Sequence, residues 1–277
     1  MTGTSAQSDE SVLLEVRDGV AVITLNRPAQ LNAWTFEMKG RFYDIVARCE
    51  ADPEVRVLVI TGAGRGFCAG MDINALGAVG STAPTSSLED PRPNALMQLA
   101  KPVIAAINGA CVGVGFVIAS ACDIRFAADS AKIGTMFSRR GLPAEDGVSW
   151  TLPRIIGTAN ALDLLLSGRT ILGREAAELG FVSRSYPDDE LLAATLEYAR
   201  DLAANCSPAA MAMIKQQVYA DLETDERTAL RRALDIRDEA IQLPDFDEGV
   251  AAYRERRTPL FPALDTKPGR PGKRGAP

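Results

Sequence analysis

Apolar and polar residues alternate from Val12 to Val16 and again from Val20 to Leu25, on either side of Asp18-Gly19, the dipeptide of a tight hairpin turn. From Asn32 to Ala51 the rhythm changes: Phe36, Phe42, Ile45, Val46 and Cys49 recur at roughly helical spacing and predict a helix over that range. The chain then repeats one theme of strand, turn and helix. In its first occurrence an apolar strand, Val55 to Thr61, runs through Gly62, Gly64, Gly66 and Gly70 into Met71-Asp72-Ile73. The second, Val103 to Gly134, reads as strand, glycine turn (Gly109, Gly113, Gly115), apolar helix and another strand. A cascade of such units builds an α/β core. Gly77 to Pro93, rich in Gly, Ser, Thr and Pro and without periodicity, reads as a mobile loop or as a plain surface linker.

After Tyr186 the pattern turns helical. Asp189 to Ala204 predicts one amphipathic helix, and Ser207-Pro208 supplies an N-cap and first-turn proline for a second running to about Leu222. Thr224 to Gln242 predicts a third, with acidic residues set among Arg227, Arg231, Arg232 and Arg237 on a solvated face. The stretch after Asp265, TKPGRPGKRGAP, is too rich in Pro, Gly and basic residues to fold alone and is expected to be disordered.

The glycine turns carry the first chemical signal. Glycines let a main chain approach a ligand closely, and the first turn of the helix after Gly113 has N–H groups without intrahelical acceptors. An anion, or an oxygen becoming one, suits that arrangement, whereas a buried strand and helix with packing glycines is the plainer reading of either turn alone.

Composition narrows the field. At 277 residues and 47% hydrophobic, the chain can bury a substantial core. A formal charge of −6 disfavours a nucleic-acid surface. With no histidine, Ser-His-Asp and Cys-His mechanisms, histidine zinc sites and a histidine base are all excluded. Cys49, Cys68, Cys111, Cys122 and Cys206 are odd in number and contain no C-x-x-C pair, so reduced thiols and a cytoplasmic location are expected. MTGTSAQSDE lacks the features of a signal peptide, and no apolar run is long enough to span a bilayer, so no membrane partner is expected.

Together, Phe67-Cys68-Ala69-Gly70-Met71-Asp72 and Ala106-Ile107-Asn108-Gly109 through Gly113-Val114-Gly115 resemble the two glycine turns of the enoyl-CoA hydratase/isomerase family, the crotonases, in the family order. Leu25-Asn26-Arg27-Pro28, Asn32-Ala33, Ser149-Trp150, Leu152-Pro153-Arg154 and Phe246 through Pro262 extend the resemblance over nearly the whole chain. It implies a crotonase-like spiral of ββα repeats over residues 9–205, a C-terminal helical oligomerisation region over 206–265, and a tail over 266–277. It also implies a homotrimer or a homohexamer built as a dimer of trimers, an acyl-CoA substrate, and no cofactor or metal beyond the coenzyme A of the thioester. The Gly77 to Pro93 loop would border the acyl pocket, and the basic tail would either touch CoA phosphates or be passive. Transferred residue by residue, the resemblance puts the backbone donors for a thioester oxyanion on Ala69 and Val114. It places Ala69, Gly70, Met71, Asp72 and Ile73 along the CoA site, with Arg27 near the phosphates or else capping the entry to a surface helix.

The acid/base group departs from the family pattern. Hydratases of this family hold a water between two glutamates, and the aligned positions here are Val117 and Phe137, which cannot move a proton. Other branches place one catalytic carboxylate shortly before the aligned Ser-Trp pair, where this chain has Glu145 and then Asp146. A carboxyl facing an apolar acyl pocket would have its pKa raised by desolvation, which suits proton transfer near neutral pH. Alternatively, Glu145 and Asp146 cap the helix beginning near Gly147 and pair with Arg139 or Arg140. The function implied is hydration of a 2-enoyl-CoA through a thioester enolate with Glu145 handling protons. The alternatives are a double-bond isomerase of the same family and an acyl-CoA-binding protein without chemistry.

Overall fold

A computed structural model describes residues 10–72 and 92–264. β1 (Val12–Arg17) and β2 (Val20–Leu25) form the expected hairpin, with Arg17 opposite Val20 and left-handed backbone at Asp18 (φ 53) and Gly19 (φ 77), as a tight turn of this hand requires. β2 pairs in parallel with β3 (Val57–Gly62), and the sheet continues in parallel through β5 (Val103–Ile107) and β7 (Ile124–Ala128) to β10 (Arg184–Tyr186). All of β3 is buried, the pattern of a parallel strand covered on both faces. The strand expected from Val55 starts at Val57, because the Val55 N–H closes a turn onto Asp52 O.

A second sheet takes the short strands β4 (Gly66–Cys68), β6 (Ala110–Val112) and β8 (Lys132–Gly134) in parallel, with β9 (Thr170–Leu172) antiparallel to β8. β3, β5 and β7 of the first sheet are thus each followed at once by β4, β6 or β8 of the second. The chain alternates between the two sheets and advances one strand position in each with every repeat, which is the expected spiral of ββα units.

Helix α1 (Phe36–Ala51) buries Met38, Phe42, Ile45, Val46 and Cys49. It begins four residues later than the apolar spacing predicts, since Thr35 is its N-cap, accepting from the Met38 N–H at 3.1 Å. Asn32 lies before the helix, in left-handed backbone (φ 58). α2 (Val114–Ala121) follows β6 and is buried along nearly its whole length; its Phe116 ring stacks on Phe181 with centroids 4.7 Å apart. α3 (Val148–Ser167) is kinked at Gly157 (φ 77). α4 (Gly173–Glu178) and α5 (Leu191–Asn205) complete the core.

Three C-terminal helices follow. α6 (Pro208–Asp221) is capped as expected by Ser207, whose hydroxyl accepts from Ala210 N–H at 3.0 Å. α7 (Glu226–Ala240) starts two residues after the expected Thr224, with Asp225 accepting from Thr228 N–H at 3.1 Å. α8 (Pro244–Glu255) was not foreseen as a separate helix; proline at its first position starts it. α6 is fixed to the core by Lys215, whose Nζ donates to Leu96 O (2.9 Å) and Lys101 O (3.0 Å) and pairs with Asp123 Oδ2 (2.8 Å). Among the described residues no helix is long and apolar enough to cross a membrane.

Candidate active site

The two glycine turns meet. A Cβ on Gly113 (φ +54) would lie 3.7 Å from the Gly70 Cα, and one on Gly115 would lie 2.1 Å from the Cys68 carbonyl oxygen. The second distance excludes a side chain at Gly115, and the first is an ordinary contact that brings the Gly70 and Gly113 turns together, with the left-handed φ of Gly113 favouring glycine there. Two asparagines hold the approach. The Asn108 side chain donates to Gly62 O (2.8 Å) and Gly64 O (3.0 Å) and accepts from Gly62 N–H (3.1 Å), bonding one turn to the strand end of the other. Asn32, fully buried, donates to Ala63 O (2.9 Å) and Gly66 O (2.7 Å) and accepts from Arg27 N–H (2.8 Å). In the sequence both asparagines stand out only as members of the Asn32-Ala33 and Asn108-Gly109 motifs. The available signal is an asparagine next to a turn, Asn32 after Pro28 and Asn108 before Gly109, because an amide can satisfy backbone donor and acceptor at once.

The donors differ from expectation at one of two positions. The Val114 N–H, first in α2, has no hydrogen-bond acceptor among the described residues. Ala69 does not offer a second donor, because its N–H is committed to Leu31 O at 3.1 Å. The available donor of that turn lies two residues on. Trp34 N–H donates to Gly70 O and Asp72 N–H to Trp34 O, leaving the Met71 N–H between them without an acceptor among the described residues. The left-handed Gly70 (φ 100) reverses the chain just before Met71. Motif position alone could not separate Ala69 from Met71; the neighbouring segment Leu31–Trp34 decides it.

Arg27 donates to Ala33 O and pairs with Asp72 Oδ2 at 3.0 Å. Its charge is thus compensated by Asp72, and the pair ties the segment before α1 to the end of the Phe67–Asp72 turn. It does not cap the short helix Pro28–Gln30 through its side chain. Ile73, and all but the last two residues of the Gly77 to Pro93 stretch, lie outside the described residues.

Val117 and Phe137 are buried core residues. The segment after Phe137 is tightly bent, with left-handed backbone at Gly141, Asp146 and Gly147. α3 begins at Val148 with Gly147 as its N-cap and no side-chain cap, so neither Glu145 nor Asp146 plays the capping role. Nor does Asp146 pair with Arg139 or Arg140: its Oδ1 lies 2.5 Å from Arg92 Nη1, and Arg139 donates instead to Ser167 O. Glu145 sits exposed on this turn, yet its carboxyl is pushed above its ordinary range, first by desolvation and then by the neighbouring Asp146 charge. Tyr43, on α1, places a buried hydroxyl, without a hydrogen-bond partner among the described residues, near the same charges; burial and then Asp146 hold it protonated.

A cavity of about 470 Å³ lies elsewhere, between the C-terminal end of α2, α3 and α6, where Ser120, Trp150, Arg154, Met211 and Val218 line it. Neither Met71, Val114 nor Glu145 borders it. Among the described residues no cluster of three or more acidic or cysteine side chains is arranged to hold a metal ion.

A family model for enoyl-CoA hydratase/isomerase matches residues 15–263. The chain is 36% identical over 259 residues to an Escherichia coli protein named 1,2-epoxyphenylacetyl-CoA isomerase, covering 91% of this chain and 98% of that one. It is also 36% identical over 257 residues to a probable enoyl-CoA hydratase of Mycobacterium tuberculosis, covering 88% of this chain and 90% of the relative. The crystal structure of a Streptomyces coelicolor protein described as a putative enoyl-CoA hydratase superposes with a TM-score of 0.84 at 33% identity, covering 94% of this chain and 98% of that one. A Mycobacterium marinum enoyl-CoA hydratase structure is 49% identical over 77% of this chain and 99% of its own, with a TM-score of 0.67.

Proposed function

Since the chain belongs to the enoyl-CoA hydratase/isomerase family, we propose that it hydrates a 2-enoyl-CoA thioester through an enolate. The observation that carries this reading is the pair of unclaimed N–H donors, Met71 and Val114, on turns held together at Gly70 and Gly113. A thioester oxygen between them gains negative charge as water adds to the β-carbon, and each preorganised donor stabilises that charge by about 3 kcal/mol. Met71 thus takes the role first expected of Ala69. Ala69, Gly70, Met71 and Asp72 line the CoA side, with the Arg27–Asp72 pair near the phosphates. Glu145 takes a proton from water as its oxygen attacks and returns one to the α-carbon. Desolvation and then the Asp146 charge raise its pKa above the ordinary carboxyl range, which makes the carboxylate a stronger base for that cycle.

A second reading, double-bond isomerisation, is favoured by apolar side chains, Val117 and Phe137, where a second carboxylate would be needed for hydration. A single carboxylate suffices to take a proton from one carbon of the acyl chain and return it to another, whereas syn addition of water is easier with two. The 36% identity to a protein named 1,2-epoxyphenylacetyl-CoA isomerase supports isomerisation of an acyl-CoA in general, the named substrate being an epoxide. Cytoplasmic location and assembly into trimers or hexamers through the C-terminal helices belong to this proposal. The exposed apolar residues Leu230, Leu234, Phe246 and Tyr253 support the assembly.

Steady-state assays with crotonyl-CoA and a 3-enoyl-CoA separate the two reactions. Glu145→Gln is expected to lower kcat by about two to four orders of magnitude while acyl-CoA affinity stays near that of the parent. Tight thioester binding without turnover of either substrate by the parent would leave an acyl-CoA-binding protein. Retention of most activity by Glu145→Gln would remove Glu145 from the mechanism.

A further inference from the structure

Arg92 stands at the entry to the short helix Pro93–Gln98, and its guanidinium reaches the Asp146 carboxylate across fifty-four residues of sequence. The side chains are 26% and 22% exposed, so water and salt screen their 2.5 Å contact less than they would a pair on the open surface. Asp146 holds this contact from an unfavourable backbone position. Its φ of 46 lies in the left-handed region, which glycine occupies at less cost, and Gly147 continues the bend at φ 78. A turn that needed only the bend would be served better by glycine at position 146. Aspartate instead puts a carboxylate directly after Glu145 and joins it to a different part of the chain.

We propose that Arg92 and Asp146 are positioning residues for Glu145: their ion pair clamps the turn that carries Glu145 to the Pro93–Gln98 helix and fixes a negative charge beside its carboxyl. The proposal rests on the reading of Glu145 as the acid/base group. Among the described residues, two groups besides Arg92 bear on the pair. Tyr43 approaches from α1 with a buried hydroxyl, and it remains protonated wherever a carboxyl titrates. Arg139 is near in sequence but is engaged with Ser167 O at the end of α3. The charge that opposes ionisation of Glu145 is therefore that of Asp146, and Arg92 decides where that charge sits.

The test is the pH profile of kcat and kcat/KM on whichever enoyl-CoA the parent turns over, in the parent, Asp146→Asn, Asp146→Gly, Arg92→Gln and Arg92→Lys. In either reaction Glu145 starts as the base, so the acid limb of kcat/KM tracks its ionisation. A negative neighbour raises that limb. Its removal in Asp146→Asn should therefore move the limb to lower pH by about half a unit or more, a shift that a purely structural role would not produce. Asp146→Gly relieves the left-handed strain, so it should fold and show the same shift even where the asparagine variant is poorly stable. Arg92→Gln should lower kcat about tenfold with KM within about twofold of the parent, and Arg92→Lys should recover most of that loss. An acid limb that stays in place in both Asp146 variants overturns the proposal, as does parental kcat in Arg92→Gln. Glu145→Gln, assayed alongside, separates the two levels. If it is inactive while the acid limb does not move, the positioning role alone fails; if it remains active, the assignment of Glu145 fails and the positioning role with it.

Discussion

A side chain on Gly115 would begin 2.1 Å from the carbonyl oxygen of Cys68. The first residues of α2 and the end of β4 are thus packed backbone against backbone, and both donor turns depend on that contact. Gly115→Ala is expected to destabilise the fold by at least about 3 kcal/mol, at the upper end of overpacking costs, because the obstacle is main chain and cannot rotate away. Thermal melting or recovery of soluble protein checks this. A soluble variant that melts at the parental temperature would mean that the turns can separate at little cost.

Val114→Pro tests the oxyanion donor with little disturbance of the helix. Position 114 is the first residue of α2, where proline is well tolerated and only an already unpaired N–H is lost. Turnover should fall about a hundredfold or more, with the melting temperature close to that of the parent. Val114→Ala keeps the N–H and should lose far less.

Lys215→Met would remove the ion-pair partner of the Asp123 carboxylate, 16% exposed, leaving Val103 N–H (2.7 Å) and the Tyr219 hydroxyl (2.8 Å) as hydrogen-bond donors and the Arg125 guanidinium as a remaining nearby positive charge. Breaking one side of a buried pair typically costs about 3–5 kcal/mol. A fall in denaturation midpoint of that size is expected, accompanied by loosening of α6, since the same ammonium also binds Leu96 O and Lys101 O. Protection of α6 amides in hydrogen exchange reads the second effect.

Glu248 on α8 accepts from Arg257 and from the Leu260 N–H, and these bonds depress its pKa to about 2, the Arg257 bond being the stronger cause. A carboxyl depressed on folding adds stability above its ordinary range, and that contribution is lost as pH falls from about 4.5 toward 2. The segment after α8 should therefore become protease-sensitive over that window before the core unfolds. Glu248→Gln should show the same sensitivity already at neutral pH. Equal resistance of parent and variant at pH 7 would count against the clamp.

Much of the architecture was legible along the chain. The β1–β2 hairpin follows from alternation around Asp18-Gly19, and the α6 start from Ser207-Pro208, because both signals act between near neighbours. The apolar spacing places the start of α1 four residues too early because Asn32 lies close to a run of helical spacing. Its side chain is in fact spent on Ala63 and Gly66, more than thirty residues away.

Residue order therefore determined the ββα repeats, the glycine turns and the absence of a glutamate at Val117 and Phe137, since each depends on local conformation or on residue identity alone. Tertiary structure decided which N–H of the Phe67–Asp72 turn is available, because Leu31 and Trp34 come from another segment to accept from Ala69 and Asp72, and Trp34 donates to Gly70 O, which passes over the Met71 N–H. It likewise decided the partner of Asp146. Arg139 and Arg140 are nearer in sequence, but the left-handed turn at 146 directs the carboxylate to Arg92. Hydrogen bonds and ion pairs form with whatever the fold brings within about 3 Å, and separation along the chain does not specify that distance.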